Sequence, residues 1–206
     1  MTRRLRSLVQ WRPTELDSQN GLSDRLAPSP CGARLSDTEA VHLWSAVRRA
    51  VVRYGFALAF EELEAPRTGI FDGLRIVIDP RVSLEMRCFL LLHLFGHSVQ
   101  WVAPSLAASV EPIRSSADRN RFLDALKVYE FEAARFGLQL LHEAGVLTLD
   151  AWYSDFVESD WRYVEGYYAT GRLPAWSDCV VSGCELIAPA PIPPIVHHRV
   201  EVRFAF

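Results

Sequence analysis

The sequence is poor in cysteine, with four residues in a chain of 206, too few for the disulfide scaffold of a small secreted protein. We therefore expect reduced thiols. The chain also lacks the run of about 18 apolar residues that a membrane-spanning helix needs. Residues 1–11 are basic but lack the apolar stretch and the cleavage site of an export signal. These absences predict a cytoplasmic protein that does not enter a membrane.

Neither sign of charge dominates, since 22 Lys and Arg residues stand against 25 Asp and Glu residues, for a net charge of −3. This balance gives no broad positive field for phosphate backbones, so we expect no direct contact with nucleic acid. The sequence also has no phosphate-binding glycine loop, dinucleotide fingerprint or nucleophile elbow. Apolar residues are abundant, at 50%, with 23% charged, as is typical of a folded chain.

Four segments carry helical signals. Ser36 and Glu39 form a capping box ahead of apolar residues at helical spacing, which predicts a helix over about residues 37–54. A stretch that is apolar on nearly every face predicts a buried helix over about 84–102. A second long helix is predicted over about 120–144, followed by a helical pattern over about 150–170.

The rest of the chain favours short strands and extended segments. Residues 57–60 and 74–78 are β-branched or aromatic runs separated by turn residues, which predicts a small sheet. Pro and Gly collect in residues 12–35, and the Pro-rich stretch 188–194 is expected to lie extended on the outside of the domain. We divide the chain into an N-terminal arm (1–35), a central domain (36–146) and a C-terminal extension (147–206). The expected fold class is α+β.

Two histidines on the predicted central helix are the first candidates for chemistry. His93 and His97 are four residues apart, so both imidazoles leave the same face of the helix about one turn apart. This spacing lets two ring nitrogens reach one tetrahedral metal ion. The same pair also fits a metal-free core in which each ring is bonded to a backbone carbonyl.

The next helix offers two carboxylates, Glu130 and Glu132. Two residues apart, they lie on different faces, so one of them can point inward. Both also fit a solvated face paired with Lys127 or Arg135. Ala133 and Ala134 are small enough for a second helix to approach closely.

Three separated blocks, residues 74–80, 84–97 and 129–136, together resemble the ImmA/IrrE family of gluzincin-like metallopeptidases, over about residues 36–142. The resemblance implies a zincin-like fold, with a small β-sheet packed on helices and a buried metal-site helix. It also implies that His93, His97 and Glu130 hold one zinc ion per chain, with Glu132 pointing outward. Finally, it implies that strand 74–78 is the edge along which a peptide lies. The donor set of two histidines and a carboxylate also accepts manganese, iron or nickel.

One departure from the family motif bears on activity. Where the H-E-x-G-H motif has its general-base glutamate, this chain has Leu94, whose side chain cannot transfer a proton. We therefore assign no residue to catalysis and expect a pseudopeptidase that binds a peptide or a regulatory protein. The family's link to helix-turn-helix repressors makes such a repressor the expected partner.

Two alternatives to a pseudopeptidase stay open. One is an active zinc endopeptidase in which another carboxylate, Glu132, Glu143 or Glu85, serves as the base. The other is a metal-free structural or interaction domain. Elsewhere in the sequence, Cys179 and Cys184 together with His197 and His198 form a weaker candidate for a second zinc site. The aromatic stretch 160–168 is interpreted as core packing.

Overall fold

The computed structural model describes residues 35–64, 67–106 and 119–200, and within them the fold is mixed α+β with five helices and a three-stranded sheet. The elements in chain order are α1 (Asp37–Arg53), β1 (Ala57–Phe60), β2 (Gly69–Phe71), β3 (Arg75–Ile78), α2 (Leu84–Val102), α3 (Arg119–Glu143), α4 (Asp150–Thr170) and α5 (Trp176–Cys179). The predicted fold class is confirmed at this level. None of the helices in these ranges is long and apolar enough to cross a membrane.

The capping box predicted for the first helix is present. The Ser36 hydroxyl accepts a hydrogen bond from the Glu39 amide, and the Glu39 carboxylate accepts one from the Ser36 amide. These two bonds satisfy backbone donors that the start of a helix leaves unpaired. Buried residues of α1, among them Leu43 and Val47, then pack against the central helix, so the cap fixes where that packing begins.

The sheet has the order β1-β3-β2, with β1 parallel and β2 antiparallel to β3. Strands β1 and β3 confirm the two predicted strands. The expectation that strand 74–78 is the sheet edge is wrong, because β3 lies between the other two strands. Strand β2 was not predicted. Its three residues begin with a glycine and follow turn residues, and this composition has little preference for a strand. Pairing with β3 and packing on α2 hold β2 in the sheet.

Helix α2 is the centre of the core, as the apolar pattern predicts, with 15 of its residues buried. Helix α3 crosses it at very short range. A Cβ placed on Gly96 would overlap the Ala133 carbonyl, and one on Gly137 would overlap the Tyr153 hydroxyl and the Leu92 carbonyl. Glycine at these two positions therefore lets α3 approach α2 and α4 approach α3. Ala133 and Ala134 are fully buried, which confirms their predicted role in close packing.

Helix α4 and the segment after it complete the domain. Trp152, Tyr153 and Phe156 of α4 belong to the same hydrophobic cluster as α2. Residues 180–200 have no helix or strand and lie along the surface, as expected for the Pro-rich stretch. Backbone bonds tie this segment to three elements or their ends: Ala190 to Arg135, Val196 to Val102, and Val200 to Asp72. The predicted arm, except for Leu35, lies outside the described residues.

Candidate metal centre

Three buried side chains from two helices converge on one point. His93 and His97 leave the same face of α2, and Glu130 reaches them from α3. The Nε2 atoms of the two histidines are 3.0 Å apart, and Glu130 Oε2 lies 3.1 Å from His93 Nε2 and 3.0 Å from His97 Nε2. All three side chains are at most 5% exposed. The structure thus places the three predicted ligands together, and Glu130 is the inward carboxylate.

The triangle has the size that a small divalent ion requires. Zinc bound to nitrogen and oxygen at about 2.0–2.2 Å holds tetrahedral ligands about 3.4 Å apart. The three observed separations, 3.0–3.1 Å, are slightly shorter. Within the described part of the chain, these residues are the one group of three or more histidine, cysteine or acidic side chains arranged to hold a metal. The donor set therefore fits a zinc ion.

Gln100, which was not predicted as a site residue, determines which ring nitrogen of His97 carries the hydrogen. The Gln100 amide nitrogen donates to the Tyr129 carbonyl (2.8 Å) and to Glu132 Oε2 (2.9 Å). Its oxygen, 3.0 Å from His97 Nδ1, must then accept a hydrogen bond from the N–H at that ring nitrogen. In neutral His97 this leaves the Nε2 lone pair facing the centre, which is the tautomer that binds a metal. His97 and Gln100 are one helical turn apart, and this spacing could have predicted from the sequence that the two side chains meet.

The hydrogen bonding is incomplete if the site serves only as core packing. Glu130 Oε1 and His93 Nδ1 are buried and have no hydrogen-bond partner in the described parts of the structure. Burial raises the pKa of Glu130, but the neighbouring His97 and His93 imidazoles outweigh burial and hold the value at about 2. The buried Glu130 carboxylate therefore needs a cation beside it, which is either a protonated imidazole of the pair or a metal ion.

Aromatic rings hold both imidazoles in place. His93 is stacked on Phe89, with ring centroids 5.4 Å apart, and His97 lies parallel to Phe71 of β2 at 6.1 Å. Tyr129 covers another side of His97 at 4.8 Å. Rotation of the two rings is thus blocked by packing as well as by hydrogen bonds, which presents their nitrogens in a fixed direction.

Leu94, the residue after His93 on α2, points at the sheet. A Cβ added to Gly69 of β2 would lie 2.5 Å from Leu94 Cδ1, so the leucine fills the space that the missing Gly69 side chain leaves. Leu94 is 6% exposed. Leu94 therefore contributes an apolar side chain to the contact between α2 and β2.

The three carboxylates considered as substitute bases are all engaged elsewhere. Glu132 accepts from Gln100, so it is not the purely outward residue that the resemblance implied. Glu143 accepts from the Tyr54 hydroxyl and from Gln139. Glu85 accepts from the Trp152 indole and the Leu35 amide. Of the three, Glu132 is linked to a ligand by hydrogen bonds, and that link to His97 runs through Gln100.

A different carboxylate, Asp160 of α4, does lie beside the triad. Its Oδ2 is 3.6 Å from His93 Nε2. Burial raises the pKa of Asp160 to about 6, with a further rise from the Glu130 charge and an opposing effect from His93. Asp160 is the first residue of the aromatic stretch 160–168, which was expected to cover the core. Trp161 and Val164 do so, but Asp160 faces the metal centre.

The second candidate zinc site does not assemble in the described residues. The His197 ring packs on Phe56 and its Nε2 is bonded to the Tyr54 carbonyl, while His198 is bonded to Val196. Cys179 and Cys184 are free thiols, as is Cys88. Cys31, the fourth cysteine, lies outside the described residues.

Comparison of the chain with protein-family models, with curated proteins and with solved structures found no match. A metal centre is therefore inferred from the geometry of the triad and its surroundings alone.

Proposed function

We propose that this chain is a zinc-binding protein of the ImmA/IrrE type that has become a pseudopeptidase. His93, His97 and Glu130 are the metal ligands, and no residue of α2 supplies a general base. The observation that carries the proposal is the buried triangle of three donor atoms at 3.0–3.1 Å, drawn from two helices that Gly96 allows into contact. Glu130 Oε1 is also buried without a hydrogen-bond partner in the described residues, and a metal ion held by Glu130 would compensate the charge of this carboxylate.

Leu94 is the reason for proposing binding in place of cleavage. A metal held by this triad would supply a Lewis acid that polarises a carbonyl oxygen. Proton transfer by a positioned base commonly contributes about 10²–10⁴-fold to hydrolysis, and Leu94 cannot provide it. With peptide binding retained and proton transfer lost, the expected activity is recognition of a peptide or protein segment.

Strand β2 supports a peptide as the ligand. It is the last strand in the order β1-β3-β2, and it lies beside the triad through the Leu94–Gly69 contact and the stacking of Phe71 on His97. An extended peptide that added to this edge would lie on the strand that packs against His97. We propose a regulatory protein as the source of this segment, and a helix-turn-helix repressor as the first to test.

An active endopeptidase is the second candidate, because one observation favours it. Asp160 places a carboxylate 3.6 Å from a metal ligand, although its helix is not the one that carries the family's base. A half-buried carboxylate at this distance is within reach of a molecule held at the metal.

Zinc affinity measured by competition with a chromogenic chelator tests the proposal. We expect one zinc per wild-type chain and a loss of affinity of at least 100-fold in Glu130→Gln. Glu132→Gln removes the same charge two residues further along α3 and should lose much less. Equal affinities in the two variants would contradict the assignment of Glu130. The zinc-loaded protein is then offered a random peptide library, in which binding without cleavage supports a pseudopeptidase and cleavage supports the second candidate.

A further inference from the structure

Asp160 occupies a distinctive place at the triad. Its only polar contact in the described parts of the chain is the one with His93 Nε2, at 3.6 Å. The Asp160 side chain is 16% exposed, whereas those of His93, His97 and Glu130 are 2–5% exposed. Asp160 is therefore the most exposed of these four side chains.

Asp160 lies next to the ligand set without belonging to it. The donor atoms of His93, His97 and Glu130 all lie within 4.8 Å of one another, and Asp160 is not in that group. It is close to His93 alone. An oxygen at this kind of position is correctly placed to accept a hydrogen bond from a molecule in the open coordination position, as the base of a zinc hydrolase does.

We propose that Asp160 Oδ2 accepts a hydrogen bond from the molecule that occupies the open coordination position of the metal. The inference depends on the metal site of the proposed function and adds the chemistry of its ligand. The favoured ligand has an oxygen that binds the metal and an O–H or N–H group next to it that donates to Asp160. Hydroxamates and hydrated carbonyl groups have this arrangement.

In this proposal Asp160 of α4 supplies the hydrogen-bond acceptor that Leu94 of α2 cannot supply. The two residues come from different helices and have different neighbours, since Leu94 of α2 packs on Gly69 of β2 and Asp160 of α4 contacts His93. We therefore expect the site to prefer ligands whose donor group is directed towards α4.

Acetohydroxamic acid is the probe, and isothermal titration measures its binding to the zinc-loaded protein. We compare wild type with Asp160→Asn, Asp160→Ala and, as a control on the same helix, Glu165→Gln, which neutralises an exposed carboxylate. Zinc content and melting temperature are measured on the same samples. Because hydrogen bonds to charged groups are strong, we expect about tenfold or greater loss of hydroxamate affinity in both Asp160 variants. Zinc content should be unchanged, and the control should bind like wild type.

Three results would overturn the inference. Equal hydroxamate affinity in wild type and both Asp160 variants would show that Asp160 does not contact the ligand. Loss of zinc from the Asp160 variants alone would show that Asp160 is itself a metal ligand. Absence of zinc from the wild type would overturn the proposed function together with this inference, and the zinc measurement separates that result from the first two.

Discussion

Gly96 of α2 lies directly against the backbone of Ala133 in α3, with no space between them for a side chain. The contact is one residue before His97 and three residues after Glu130, so it sets the separation between the two halves of the triad. Helices usually pack with axes 8–10 Å apart, depending on the residues at the contact. Here the smallest residue available brings the carboxylate to hydrogen-bond distance from both imidazoles.

Gly96→Ala should therefore damage both the fold and the site. The added methyl overlaps the Ala133 carbonyl, and forcing the two helices apart costs about 1–3 kcal/mol. We expect a lower urea midpoint together with weaker zinc binding. Gly166→Ala on α4 is the matched control, because the nearest atom to its new methyl is the side-chain Cγ of Pro174, at 3.1 Å. Equal stability and zinc affinity in both variants would show that the close approach is not needed.

Gln100→Ala should weaken metal binding while leaving all three ligands in place. Without the amide oxygen, His97 Nδ1 loses the acceptor that selects its metal-binding tautomer. Loss of such a partner typically costs about 10–100-fold in affinity. Chelator competition measures the change, with Gln139→Ala, which bonds only to Glu143 in the described structure, as the control. Unchanged zinc affinity would show that Gln100 does not select the metal-binding tautomer of His97.

Asp79 should produce a loss of stability in acid. A hydrogen bond from the Arg81 guanidinium, helped by two backbone amides, lowers the pKa of Asp79 to about 2 from its usual 3.8. Because the folded-state pKa is the lower one, the stabilisation is present above about pH 4 and is lost as the pH falls towards 2. Asp79→Asn should cost about 1–2 kcal/mol at pH 7 and flatten the acid side of the stability curve. A variant as steep as wild type between pH 4 and 2 would exclude this origin.

Leu94→Glu should create peptide hydrolysis if the loss of the base is what silenced the site. The new carboxylate would lie beside the triad and next to Gly69, where it can take a proton from an attacking water. Cleavage is measured on a broad peptide library with the zinc-loaded variant. Leu94→Gln has the same shape without the basic group and should stay inactive. Failure of Leu94→Glu to cleave any peptide, with zinc still bound, would show that more than the base is missing.

The helices and the histidine pair could be predicted because their signals are local. The capping box at Ser36 and the apolar pattern of α2 gave element limits within one or two residues of those observed. The i, i+4 spacing of His93 and His97 placed both rings on one face. Periodicity could not choose between Glu130 and Glu132, since that choice depends on which face of α3 meets α2. The family resemblance selected Glu130, and the packing at Gly96 gives the physical reason.

Asp160 and β2 could not be predicted by the same means. Asp160 is 67 residues from His93 in sequence, and its neighbours Trp161 and Val164 are core residues that dominate the local pattern. Only the packing of α4 on α2 and α3 brings it to the triad. Strand β2 is three residues long and starts with glycine, so its strand character comes from pairing with β3 and not from its own composition.

Elemental analysis of the purified protein, after dialysis without chelator, tests whether His93, His97 and Glu130 hold a zinc ion. Wild type is compared with His93→Ala and with His142→Ala, a histidine of α3 that pairs with Asp150 away from the triad. Circular dichroism checks that each variant is folded. We predict about one zinc per chain in wild type and in His142→Ala, and none in folded His93→Ala. Metal-free wild type, or equal metal in all three proteins, would show that the triad is not a metal site.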